Sequence, residues 1–308
     1  IAANEGGKAF PSEVLAFREA PNNSKPILII NGFTRVSAPG IINESGRAGF
    51  DSENDFGVPY IRDISFTGHQ REFRRGASQH GLSDSNYVTT VIAGNTFDFV
   101  ALHGDAIADA GYGFVSSSAG AVEDGTILLK NYDVVDYILG KQKEGKVGSG
   151  KSGWHYKTFS PEMQKLLRAF VNRGGDLLVS GQYVASDLHN PRSTDADKDF
   201  AIQILGVQPG ETDKIRNPRF VVSRNNDLNA GLKNRSYTYN NTLNDKTYIV
   251  ERPDMLEPMG EAEILMEFDD NSRGAAVGRR SGKSRVVTMS IPFESIDGEA
   301  DRSQLMQE

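Results

Sequence analysis

Cysteine is absent from this chain, and that closes several routes at once. Disulfides, thiolate metal sites and a cysteine nucleophile are excluded, while the compartment stays open. Histidine is scarce: His69, His80, His103, His155 and His189 show no H-x-x-x-H or H-E-x-x-H spacing. No metal site is expected from them, and no cofactor is assigned. No apolar run approaches the roughly 18 residues of a membrane span, and no signal-peptide pattern opens the chain. Positive charge is in deficit, with 34 basic against 41 acidic side chains and a formal net charge of −7. That balance argues against nucleic acid or an anionic membrane as a partner. Internal repeats and low-complexity tracts are missing too.

What is present is the grammar of an α/β protein, clearest in Ser160 to Leu188. Ser160 suits an N-cap, Pro161 the first helical position, and Glu162 the positive end of the helix dipole. Met163, Leu166, Leu167, Phe170 and Val171 recur at the spacing of one buried helix face, and Gly174 fits the left-handed residue that ends such a helix. Leu177-Leu178-Val179 then reads as a buried parallel strand, broken by Ser180-Gly181. A ligand site is expected at such a strand's carboxyl end.

The remaining segments fit around this unit. Ile27 to Ile30 is the best first central strand, ending in Asn31-Gly32-Phe33. Thr96 to Gly111 reads as a helix with Phe97, Val100, Ala101, Gly104 and Ile107 on one face. Tyr112 to Val115 and Tyr132 to Leu139 read as strands, and Asp199 to Leu205 as a helix stopped by Gly206. Pro209 to Pro258 shows little periodicity and is expected to wander over the surface. Ile264–Phe268, Gly274–Arg279 and Arg285–Ile291 read as an antiparallel meander whose last member joins the main sheet. Tyr60 to Gly76 reads as a solvated loop or a basic lip. The polar start at Ile1 and the incipient helix before Glu308 are expected where a chain has been trimmed from a longer one.

Three chemistries deserve weighing. Gly145 to Ser152 fits the G-x-x-x-x-G-K-[ST] phosphate loop, which must leave a buried strand directly and open a helix. Here the strand ends near Leu139 and the helix starts at Ser160, so the motif is not expected to work. His103-Gly104-Asp105 is the nearest approach to a metal pair, and a half-exposed helix position is its expected fate. Ser180, at the end of a central strand, stands where an α/β enzyme places a nucleophile, but Leu178 to Gln182 lacks the first glycine of G-x-S-x-G. Ser117 follows another strand and is equally unspecific.

Arg168 to Gly181 resembles the helix-strand unit that precedes the nucleophile in class I glutamine amidotransferase-like proteins. Val286 to Ser295 resembles that family's last strand and the following turn, which carries its histidine and glutamate. The resemblance implies a three-layer sandwich with a mostly parallel flavodoxin-like sheet, here followed by an antiparallel C-terminal meander. It also implies departures: the nucleophile position falls at Ser180 or Gly181, the histidine position near Ile291, and only Glu294 matches. A triad lacking nucleophile and base cannot run that acyl transfer.

Residues 1–20 resemble the closing hairpin of a fibronectin type III module. With Phe10 to Leu15, Ile27 to Phe33, Tyr132 to Gly140 and Pro292 to Glu294, the chain is similar to bacterial extracytoplasmic proteins of the golvesin-related, xanthan-lyase-like kind. That resemblance implies an upstream β-module remnant over 1–25 and one α/β domain over 26–308. It implies a secreted or periplasmic location, with neighbouring domains and polysaccharide or cell-wall glycan as partners. Two functions stay open. One is a catalytically degenerate glycan-linked domain, its ligand site lined by Asn31, Gly32, Arg35, Ser117, Gln182 and Tyr183. The other is a hydrolase using Ser180 or Ser117, with His103 or His155 as base and Glu294 in the catalytic set.

Overall fold

The computed structural model describes residues 15–21, 24–32, 99–146, 157–211, 215–223, 228–232, 234–242, 247, 250 and 252–307, together with a few short paired strands outside them. Twelve strands form one mixed sheet. In chain order they begin with β1 Phe17–Arg18, β2 Ile27–Asn31, β3 Phe114–Ser118, β4 Val134–Gly140, β5 Asp176–Gly181 and β6 Val207–Pro209. They continue with β7 Arg219–Val222, β8 Ser236–Thr238, β9 Leu256–Pro258, β10 Glu263–Phe268, β11 Gly274–Ser281 and β12 Ser284–Met289. The main path runs β8-β7-β10-β11-β12-β5-β4-β2-β3-β1, with β9 beside β11 and β6 beside β9.

The neighbours β3-β2-β4-β5-β12 are mutually parallel, and the other pairings are antiparallel. From β2 the chain moves outward to β3, then returns to the other side of β2 for β4. Strand order therefore reverses between β2 and β4, where an open α/β sheet leaves a crevice at its carboxyl edge.

The period-2 alternation of the buried strands sends side chains to two apolar clusters. Leu28, Ile30, Val135, Tyr137 and Val179 pack with helices α2 Ala119–Glu123, α3 Pro161–Asn172 and α4 Asp195–Phe200, which continues as a π turn to Leu205. Ile29, Ile138, Met289 and Phe220 pack instead with α1 Phe99–Asp109, and Leu305 and Met306 of α5 Glu299–Gln307 lie against them. Ser160 caps α3 by accepting from the Met163 N–H at 3.0 Å, and Gly174 has φ 99°, both as its sequence requires.

Two expectations need correcting. Pro209 to Pro258 does not simply wander: β7, β8 and β9 all join the main sheet, and Phe220, Tyr237 and Tyr239 are buried. These strands are too short for a period to show. On α1 the buried face is also rotated from the expected one, with Ala101 exposed and His103 buried. The expected cap at Asn95 or Thr96, and Phe97, lie outside the described residues. Gly145–Lys146, which begin the phosphate-loop motif, pair antiparallel with Trp154–His155, and the rest of the motif lies outside the described residues. Phe17–Arg18, within the stretch expected to precede the domain, pairs antiparallel with β3 as an edge strand.

Candidate functional site

The carboxyl edge of the parallel strands carries a buried polar group of residues that the sequence only partly announced. Asp136 lies in β4, one same-face step before Ile138, whose side chain belongs to the α1 side of the sheet. From α1, His103 places Nδ1 2.6 Å from Asp136 Oδ2 and Nε2 3.2 Å from Glu294 Oε2. Glu294 sits in a one-turn helix, Phe293–Ser295, just after β12, and the Phe293 ring stands 4.7 Å from the imidazole. All three polar side chains are buried.

Burial disfavours the charged imidazole, but the charge and hydrogen bond of Asp136, joined by those of Glu294, outweigh it and lift the His103 pKa to about 9. At neutral pH the ring is an imidazolium donating from both nitrogens. It has no lone pair with which to take a proton from a serine. The helix position expected to be half-exposed is thus a buried ionic centre joining α1, β4 and the turn after β12.

The serines do not complete a catalytic set. Ser180 lies in register with Ile138 on one side and Met289 on the other, which puts it on the His103 face. Its Oγ is buried and has no hydrogen-bond partner. No residue from Ser180 to Tyr183 has a left-handed φ, and a short 3-10 turn, Ser186–Leu188, follows. A nucleophile elbow needs a strained turn opening a helix. Ser117 is in register with Ile30, which points into the opposite cluster, and its Oγ donates to the Ser118 carbonyl at 3.1 Å. Among the described residues, no serine hydroxyl hydrogen-bonds to a histidine. His189 Nδ1 instead meets the Ala185 carbonyl at 3.1 Å. Arg35 and the His155 side chain lie outside the described residues.

The other expected ligand residues have mixed fates. Asn31 ends β2 beside Ile138 and is buried, its Oδ1 without a partner. Gly32 is compelled by sterics: its N–H donates to the Ile138 carbonyl at 2.8 Å, and a Cβ there would collide with the Tyr137 ring. Gln182 donates from Nε2 to the Tyr183 hydroxyl at 2.7 Å and to the Arg252 carbonyl at 3.3 Å, leaving Oε1 unpartnered. Lys143 stands 4.6 Å over the Tyr183 ring.

Sequence reasoning missed Asp136, Asp187 and Asp254. Asp254 Oδ2 accepts from the Ala185 and Ser186 N–H groups at 2.8 and 2.7 Å, clamping the turn after β5. Asp187 accepts from the N–H groups of Thr158 and Glu144 at 2.9 and 3.0 Å. Burial raises the pKa of both carboxyls. The signal for Asp136 was a carboxylate inside an otherwise apolar strand, Val134 to Leu139, which a buried strand tolerates only with a partner.

Among the described residues no cluster of three metal-ligating side chains has the geometry to hold an ion, and no helix is long and apolar enough to cross a membrane. No family model matches the chain, and no curated protein matches it. Solved structures do. A cold-adapted β-galactosidase from Rahnella sp. R3 is 16% identical over 68% of this chain and 26% of its own, with a TM-score of 0.43. The exo-β-1,4-mannosidase Op5Man5 from Opitutaceae bacterium strain TAV5 is 12% identical over 90% of this chain and 35% of its own, with a TM-score of 0.45. The cytoplasmic protein STM1381 from Salmonella typhimurium LT2 is 11% identical over 92% of this chain and 93% of its own, with a TM-score of 0.46. The chain spans about a quarter of the length of the first of these. Likenesses at this level assign no activity.

Proposed function

We propose that this chain is a catalytically degenerate α/β domain of the class I glutamine amidotransferase-like type, acting in the binding of polysaccharide or cell-wall glycan within a multidomain extracytoplasmic protein. The observation that carries the loss of catalysis is His103: both ring nitrogens are taken by the buried carboxylates Asp136 and Glu294. Among the described residues no base hydrogen-bonds to Ser180 Oγ, and cysteine is absent from the chain. The parallel strands, numbered by chain order among themselves, lie 2-1-3-4-5, and helices pack on both faces, which supports a flavodoxin-like three-layer arrangement. Glu294 supports the family reading, since it follows the last parallel strand as the family's glutamate does. The glycan reading rests on the resemblance to extracytoplasmic proteins and on a carboxyl edge furnished with Asn31, Ser180 and Gln182.

Two assays on the same preparation test this. Glutaminase, esterase and peptidoglycan-hydrolase activity should be at background, while calorimetry against soluble oligosaccharides should show saturable binding. Turnover abolished by Ser180→Ala or Ser117→Ala would instead establish the serine hydrolase.

A further inference from the structure

Buried polar atoms in native proteins nearly always have a partner, and each one without calls for a physical reason. Three such oxygens fall together here. Asn31 Oδ1, Asp136 Oδ1 and Ser180 Oγ are all without a hydrogen bond, on residues no more than 1% exposed. The strand register brings them together. Asn31 and Ser180 flank Ile138 from the two neighbouring strands, and Asp136 lies two residues before Ile138 on the same face. With strands about 4.8 Å apart and about 3.3 Å per residue, each flanking Cα lies about 8 Å diagonally from that of Asp136. Asn31 and Asp136 lie on the two strands between which the strand order reverses, two positions apart along the same face.

From this geometry we infer that Asn31, Asp136 and Ser180 form the polar floor of a binding site for the hydroxyl groups of a neutral sugar. The inference rests on the glycan reading above and adds the ligand class and the residues. The carboxylate and amide oxygens call for hydrogen-bond donors, and the hydroxyl can donate or accept. Sugar hydroxyls supply donors from several directions. A uronate or sulfate group would set acceptor against acceptor beside the Asp136 carboxylate. Because the three residues are closed off, a ligand reaches them only as this edge opens, and association is expected below about 10⁵ M⁻¹ s⁻¹.

Ser180→Ala and Asn31→Ala test the assignment against a structural role. Removing a buried polar atom that has no partner costs little or stabilises, whereas removing one satisfied by structural water destabilises. Each variant is expected to melt at or above the wild-type temperature. Each should also bind neutral gluco- or manno-oligosaccharides about tenfold more weakly, as one lost hydrogen bond gives. Melting temperatures lowered by several degrees in both variants would reassign the atoms to internal water and overturn the inference. Unchanged binding in both variants, or preference for acidic oligosaccharides, would also overturn it while leaving the glycan reading intact. If the wild type binds no oligosaccharide, the glycan reading falls and this inference with it.

Discussion

Two groups of buried carboxylates lie at the carboxyl edge of one sheet, and they are held in opposite ways. Asp136 and Glu294 are bridged by a side chain, the imidazolium of His103, which reaches them from a different element. Asp187 and Asp254 are held by uncharged donors, the backbone N–H groups of nearby segments and, for Asp187, the Thr158 hydroxyl as well. The first arrangement needs a titratable partner that must stay charged. The second takes its hydrogen bonds from groups that have no charge to lose. Burial is common to both, so the comparison isolates what the partner contributes.

The hardest test applies one substitution to both groups. Asp136→Asn removes the charge facing His103 and leaves a buried imidazolium with Glu294 alone. Breaking a buried ion pair from one side costs about 3–5 kcal/mol. Urea unfolding at pH 7 should show that loss. A change under about 1 kcal/mol would mean that His103 is neutral in the fold and that the two groups do not differ as argued.

Alkaline pH should sharpen the contrast next. The folded pKa of His103, about 9, lies above its ordinary value of 6.5. A group raised on folding binds its proton more tightly in the native state. Its contribution is therefore complete below pH 6.5 and lost as pH rises through about 9. The loss is roughly 3 kcal/mol across that window. Urea midpoints of the wild type should fall over it, and those of His103→Gln should stay flat. Parallel curves for the two proteins would remove His103 from the account.

How much of this was legible in the sequence follows from the range of each interaction. The cap at Ser160, the amphipathic face of α3 and the stop at Gly174 are local, and all three stand in the structure. The apolar runs at Ile27, Val134, Leu177 and Val286 became four of the five parallel strands because continuous apolar runs suit strands buried on both faces. β7 and β8 escaped notice because each is short and holds its place through partners far along the chain: Phe220 pairs with Phe268 and Tyr237 with Phe220. His103 and Glu294 could be named individually. Their meeting could not, since it spans 191 residues. Asp136, 33 residues from His103, hid in an apolar run where periodicity treats a carboxylate as noise.

The smallest expected effect is the most telling. Asp254 sits as deeply as Asp136, and its pKa is raised by burial, with the Ser186 and Ala185 hydrogen bonds and the charge of Lys143 pulling the other way. A carboxyl whose pKa rises on folding opposes the fold wherever it is ionised, so its charge is a cost rather than a support. Asparagine keeps an oxygen for the two N–H groups and drops that charge. The attraction to Lys143 is lost, but Lys143 keeps its place over the Tyr183 ring. Asp254→Asn should therefore change stability by less than about 1 kcal/mol, in contrast to Asp136→Asn. If the two variants lose the same amount, backbone amides and an imidazolium hold buried carboxylates alike here. The ionic centre at His103 would then have no special standing in the fold.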